Sequence, residues 1–389
     1  MRFPSRFRRP AAFALLTTLV TASGVAVAAP ASAAPPAGTI QSTTDLGPLA
    51  WDSRIIGRDA GFSVKWGSGS IWVFGDTAMT VAGSDGDNWA DNTSATTTDL
   101  SAANGISLLP PAGRETTDGA GVPTEYLPLS QWESYFNHAN DPVRCSPPGQ
   151  GDCGKQYFLW PAQPVADPAR NRVIYPFTSG IRGGSVTDPF GQYWGTGFAV
   201  WNASTGAMTR PETGPVPGGA SWDKWVMFHG QETSYTPVTT VGSTVYSVGC
   251  AQDWVVYHCS LARVGLADIL NRSAWRFYAG GGTWSATASD AVTIFDGGSS
   301  NSMFYNPYLG KYVAVYGFDR VSYRTADQPW GPWSDEAKLF DTVPAPQGKY
   351  NYFGLAHPEY GNGRTLYLTY SHPTSDWGGE VRVQRVVFN

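Results

Sequence analysis

From about residue 54 to the end, the chain is a succession of short apolar, β-branched and aromatic runs, broken by Gly, Pro, Asn and Asp. Runs of that length and composition predict β-strands, and almost none of the chain carries a helical period. Leu266–Leu270 is the one stretch that reads as a helical turn. One pattern recurs five times: a turn residue or pair followed by an apolar, aromatic strand. The copies begin at Gly69, Asn171, Gly242, Gly310 and Gly363. Recurrence at intervals of tens of residues marks a repeat architecture. Five units of this size predict an all-β, five-bladed β-propeller, with a large sandwich or jelly roll as the alternative. A sandwich leaves the recurrence unexplained. The wider first interval holds an insertion, roughly 82–155, rich in Gly, Pro, Asp and Thr.

In a propeller the innermost strand of each blade lines the axis. The segments expected there carry Arg58-Asp59, Tyr157 to Trp160, His229 to Glu232, Ser299 to Ser302, and His357 to Glu359. A core has no need of Asp, His, Glu and Asn at such places, because burying unpartnered polar groups is costly. Their convergence predicts a site on the axis.

The most informative stretch runs from Arg54 to Thr77. Two strand-like segments, Gly61–Trp66 and Ser70–Gly75, flank a Gly/Ser turn, so they form a hairpin. Asp59 begins the first and Asp76 ends the second. Antiparallel pairing brings both carboxylates to one end of the hairpin. Two acids at one mouth suit glycoside hydrolysis: one protonates the leaving oxygen, the other attacks or activates water. The plainer alternatives are a turn aspartate for Asp76 and a structural Arg58–Asp59 ion pair.

The first 33 residues are expected to be a leader. Arg2, Arg6, Arg8 and Arg9 precede an apolar run from Ala11 to Val27, and Ala31-Ser32-Ala33 forms a small-residue cleavage site. Arg8-Arg9 is a weak twin-arginine signal. Residues 34–50 are expected to be a flexible lead into a propeller domain spanning 51–389. Losing four arginines with the leader takes the formal charge from −5 to −9. That balance argues against nucleic acid and anionic membranes as partners. Aromatic residues make up 14% of the chain, nearly matching the 15% that are charged, which suits stacking against sugar rings. The expected product is a secreted monomer acting on a polysaccharide.

Four cysteines form two local sets, Cys145 with Cys153 and Cys250 with Cys259. In an exported chain these are expected as disulfides closing short loops. Asp85 to Asp91 has the look of a calcium loop, but Trp89 stands where an oxygen ligand belongs and no closing Glu follows. No metal ligand set is assigned, a structural cation on the axis is left open, and the two-acid chemistry needs no organic cofactor. Serine-esterase, metalloprotease and nucleotide-binding motifs are lacking.

At larger scale the chain resembles a known group. The RDAGFS and FGDT segments, the Asn301/Asn306-Pro307 region with GKYVAVY, the stretch Arg324–Ser334, and the terminal HPE with LYLTYS carry the resemblance. The group is a bacterial family of secreted five-bladed propeller glycoside hydrolases, first catalogued as a domain of unknown function. Its characterised members are endo-D-arabinanases acting on mycobacterial arabinogalactan and lipoarabinomannan. The resemblance implies that Asp59 and Asp76 are the catalytic acids. Ala60, where a second glycine is expected, and the cysteine-bearing insertion depart from the pattern.

Further candidates for substrate contact are Arg58, as a positioning residue, Trp160, as a stacking ring, and His229, Glu232, Asn301 and His357. Each has a structural alternative: an ion pair, a core ring, a solvated turn or a satisfied strand-end polar group. The alternative functions are hydrolysis of L-arabinan, xylan or galactan, and sugar binding without turnover.

Overall fold

The run Ser70-Ile-Trp-Val-Phe-Gly is buried on both faces, which explains why it reads as a continuous apolar stretch. Ile71 and Val73 pack toward the following blade, with Leu159, Val173 and Tyr175. Trp72 and Phe74 point the other way, against Val381 and Val383 of the last blade. Side chains of a strand alternate between faces, so one strand seals two interfaces at once. Similar clusters fill the remaining three gaps between blades.

The structure, a computed structural model, describes residues 34–145, 151–187, 191–213, 223–230, 234–253, 256–376 and 378–389. The expected leader, 1–33, lies outside them. Five antiparallel sheets make a five-bladed β-propeller. The first strand, β1 (Ile40–Pro48), belongs to the last sheet. Blade I holds β2 (Ile55–Trp66), β3 (Gly69–Met79), β4 (Trp89–Ala90), β5 (Thr93–Thr97) and β6 (Gly113–Glu115). Helix α1 (Gln131–Asn140) follows. Blade II holds β7 (Lys155–Pro161), β8 (Val165–Asp167), β9 (Arg172–Gly183), β10 (Gln192–Asn202) and β11 (Met208–Thr209), with β12 (Val226–His229) added against β10. Blade III holds β13 (Thr236–Val241), β14 (Thr244–Asp253), β15 (Val256–Gly265), β16 (Arg276–Gly280), β17 (Thr283–Ser285) and β18 (Thr293–Gly297). Blade IV holds β19 (Asn301–Asn306), β20 (Lys311–Gly317), β21 (Arg320–Ala326) and β22 (Ala337–Asp341). Blade V holds β23 (Tyr352–Ala356), β24 (Thr365–Pro373) and β25 (Gly379–Phe388), closed by β1 on the outside.

The five recurring sequence segments are β3, β9, β14, β20 and β24, the second strand of every blade. Three expectations change. Ile40–Pro48, expected as a flexible lead, is a strand paired along its length with β25. The inner strand of blade III is β13; the His229 segment is β12, an addition to blade II. The insertion contains α1, whose N-terminus is fixed by a capping box between Ser130 and Glu133. The expected helical turn at Leu266 is a short 3-10 turn, Leu266–Asp268. Cys145–Cys153 and Cys250–Cys259 are both disulfide-bonded.

Candidate active site

The β2–β3 ladder breaks where the aspartates lie. Arg58 pairs with Thr77, and the next pair is Ala60 with Phe74. Asp59 alone therefore faces two residues, Gly75 and Asp76. That is a β-bulge, a device that re-aims side chains beside functional sites. A second irregularity follows, with Gly61 skipped between Ala60 and Phe62. Ala60 takes a left-handed backbone, φ 65°, and its N–H donates to Ser371 Oγ at 3.0 Å. Gly75 has no alternative: a Cβ there would lie 2.3 Å from Asp59 Oδ1. The bare backbone lets the Asp59 carboxylate lie against β3 beside Asp76.

The two carboxylates have different surroundings. Asp59 is enclosed by protein yet still reached by solvent, and its Oδ2 accepts a hydrogen bond from Tyr352 Oη at 2.9 Å. Burial first, then the charge of Asp76, pushes its pKa up to about 7, against the weaker pull of the tyrosine. Asp76 accepts from Trp160 Nε1 at 2.8 Å and from Arg182 Nη1 at 3.1 and 3.3 Å. Burial raises its pKa as well, but the Arg182 charge and the indole N–H oppose that rise. The two acids are thus inequivalent: one has a neutral donor, the other a cation and an indole. Asp59 is the better proton carrier near neutrality, and Asp76 the better-supported carboxylate.

Arg182, at the end of β9, also binds Asp91 through Nη2. The Asp91 main-chain N–H donates to Glu125 Oε1 at 3.0 Å. Burial raises the pKa of both Asp91 and Glu125. One guanidinium therefore serves a row of acids that begins at Asp76.

Of the expected contacts, Trp160 joins the pair, by hydrogen bonding to Asp76 through its indole N–H. Arg58 does not hold Asp59. It lies on the other face of β2, fully buried, in a two-pronged ion pair with Glu115 at 2.9 Å and under the Phe74 ring. His357 is also elsewhere: it bonds Ser63 at 2.6 Å and Thr369 at 2.7 Å and stacks on Trp72. Burial drives its pKa down to about 3, so it is neutral. Asn301 bonds Gly298 and the Cys250 sulfur, where it organises a turn against a disulfide. His229 ends β12, paired with Gly195 of β10. Glu232 lies outside the described residues.

Tyr352, Arg182, Asp91 and Glu125 were not anticipated. The inner strands share a direction, so the start of β23 lies level with Asp59 and its end level with Ser63. The residue that meets Asp59 is thus Tyr352, at the start of β23, and not His357, just past its end. Arg182 carried a usable signal: it lies late on the second strand of blade II, as Asp76 does in blade I.

A family described as Domain of unknown function (DUF4185) matches residues 191–377, which excludes the hairpin bearing the two aspartates. No curated protein matches the chain. Among solved structures, a "putative hydrolase" from Bacteroides ovatus shares 15% identity, with a TM-score of 0.54, over 87% of this chain and 86% of that one. A GH62 α-L-arabinofuranosidase catalytic domain from Coprinopsis cinerea shares 12%, with a TM-score of 0.45, over 91% and 98%. A GH43_1 enzyme from Xanthomonas citri, complexed with xylose, shares 11%, with a TM-score of 0.46, over 88% and 89%. At such identities the likeness is one of fold.

Proposed function

We propose that the protein is a secreted glycoside hydrolase, an endo-D-arabinanase cleaving α-D-arabinofuranosyl linkages of arabinogalactan or lipoarabinomannan type. The observation that carries the hydrolase reading is the inequivalence of the Asp59 and Asp76 carboxylates, side by side in one bulge. Protonated Asp59 gives its proton to the leaving glycosidic oxygen. Ionised Asp76 faces the charge that develops on the sugar ring, or acts as base or nucleophile. Arg182 and Trp160 keep Asp76 ionised and aimed. The arabinan specificity is supported by the resemblance of the RDAGFS and FGDT segments, and export by the leader-like N-terminus and two disulfides. Among the described residues no helix is long and apolar enough to cross a membrane.

The test is product analysis of the protein without its leader on mycobacterial arabinogalactan, L-arabinan, xylan and galactan, beside Asp59→Asn and Asp76→Asn. Short D-arabino-oligosaccharides from wild type alone are expected. Products from another polymer only would move the specificity. Binding without products would make the protein a lectin-like propeller, and equal turnover by the variants would mean other residues carry the chemistry.

A further inference from the structure

Helix α1 does more than fill the insertion. At its C-terminal half, Asn137 exchanges two hydrogen bonds with the main chain of Tyr157, at 3.1 and 2.7 Å. Tyr157 lies on β7, the strand that carries Trp160, whose indole N–H reaches Asp76. Its neighbour Gln156 pairs with Arg182. The helix is therefore bolted to the strand edge beside the candidate active site. At its N-terminal half, α1 borders a recess of about 520 Å³ lined by Ser130, Gln131, Trp132, Tyr135, Lys224 and Trp225. The helix is about 15 Å long, and both of its halves meet Tyr157, the N-terminal one through the Trp132 ring at 5.2 Å.

We propose that this recess is a second glycan-binding site: a distal subsite that holds a neutral polysaccharide chain whose cleavage occurs at Asp59 and Asp76. The identity of the chain rests on the hydrolase reading above; the existence of the site does not.

Buried contacts frame the recess. Glu133, one turn into α1, is buried and paired with Arg210, with Nη2 to Oε1 at 3.1 Å. The Arg210 guanidinium also lies 5.4 Å from the centre of the Trp225 ring. A single buried arginine thus fixes both the helix bearing Trp132 and Tyr135 and the opposite wall. Trp132 is 45% exposed, yet its ring is held edge-on by Tyr157 at 5.2 Å and lies beside Phe136 at 5.5 Å. Tyr135, three residues along on the same helix face, is 69% exposed. Neither ring gains from such exposure in the folded chain.

The chemistry of the lining selects the ligand class. Three aromatic rings offer flat apolar faces. Ser130 and Gln131 add hydroxyl and amide groups, the few polar contacts that orient a ligand in an otherwise apolar site. Among the described residues the sole charged lining residue, Lys224, is paired with Glu212 and lies 4.6 Å from the Trp225 ring. An anionic ligand would have to displace Glu212, on a protein that is acidic overall. A sugar has apolar ring faces, hydroxyl edges and no charge, and it matches this lining.

The experiment uses the full chain without its leader, made inactive by Asp59→Asn with Asp76→Asn. Calorimetric titration with short and long oligosaccharides from mycobacterial arabinogalactan is compared before and after adding Tyr135→Ala, alone and with Trp132→Ala. Thermal melting checks the fold of each variant, and Tyr135 is exposed enough that its truncation leaves packing intact. We expect long-chain affinity to fall about tenfold in the double truncation, with short-chain affinity unchanged and Trp132→Phe with Tyr135→Phe close to the parent. Equal affinity of parent and truncated proteins for long chains overturns the site. So does preferential recess-dependent binding of polygalacturonate, and so does binding of no oligosaccharide at all. Active wild type beside an unaffected titration would sink the recess and spare the hydrolase. Recess-dependent binding by a wild type that cleaves nothing would do the reverse.

Discussion

Tyr352 donates its phenolic hydrogen to Asp59 across 293 positions of sequence, and each of the two is followed by a left-handed residue that is not glycine. Ala60 has φ 65° and Phe353 φ 56°. Such backbone is costly for residues with a Cβ and persists where the surroundings over-determine it. Ala60 is pinned by Ser371 and by burial among blade contacts, and Phe353 packs edge-on against Phe62 at 5.9 Å. Two strained segments from opposite ends of the chain thus hold one hydrogen bond in place.

Removing that bond has a direction. The tyrosine lowers the Asp59 pKa, so Tyr352→Phe should raise it. If Asp59 must be protonated to act, kcat/KM of wild type falls as pH rises through about 7, and Tyr352→Phe moves that limb upward. A pH profile of both proteins on the polymer that wild type cleaves checks this. An unmoved or lowered alkaline limb would assign it to another group.

Asp59 also makes stability depend on pH. Its folded pKa lies above the ordinary value of 3.8, so the native state holds a proton that the unfolded chain releases. This contribution is fully present below about pH 4 and is lost as pH rises through about 7. Asp59→Asn should melt higher than wild type above pH 7, and the gap should narrow toward pH 4. Its activity should drop by about 10²- to 10⁴-fold, the usual contribution of a general acid. Melting curves across pH, with a gap that stays constant, would argue against the buried proton.

Arg182 is the counter-charge of Asp76. Arg182→Met should raise the Asp76 pKa, shift the acidic limb of activity upward and reduce kcat by about 10²-fold, a loss of the size seen when one electrostatic partner is removed. Asp91→Asn leaves an acceptor for Nη2 while removing a negative charge, so it should move the acidic limb downward. If the two variants shift the limb in the same direction, the shared guanidinium does not link them.

His357 points the other way. Its folded pKa, about 3, lies below the ordinary 6.5, so its contribution is present above pH 6.5 and is lost as pH falls through about 3. Replacing it with glutamine should flatten the acid side of the stability curve and leave kcat/KM near neutrality within about threefold, because it touches neither aspartate. A large loss of activity in a well-folded His357→Gln would return it to the site.

The pattern of the chain was legible where one residue type answers one demand. The five buried second strands announced themselves because both faces must be apolar, and the aspartates because a hairpin brings its ends together. What was hidden depends on register. Whether Arg58 faces Asp59 or Glu115 turns on a single step of alternation beside a bulge. Whether Tyr352 or His357 meets Asp59 turns on which end of β23 lies level with it. No local pattern encodes these choices, since both residues of each pair are polar and sit in similar runs. Helix α1 was legible in principle: Ser130 and Glu133 spell a capping box, and the aromatics Trp132, Tyr135 and Phe136 stand at i, i+3 and i+4, a helical spacing. The strand β1 carried no such signal, because an outer strand is half-exposed and reads as a polar lead.

The pairing of β1 with β25 sets an order in time. The last blade is sewn from both ends of the polypeptide, and Tyr352 sits in that blade while Asp59 sits in the first. A chain emerging from the ribosome carries both aspartates early, but the tyrosine that bonds Asp59 arrives only with the last blade. Until the seam closes, Asp59 lacks its donor, and Trp72 and Phe74 of the adjoining strand lack Val381 and Val383. An incomplete chain therefore has the acids without the environment that makes them unequal, and a reaction that needs unequal acids would wait for the circle to be finished.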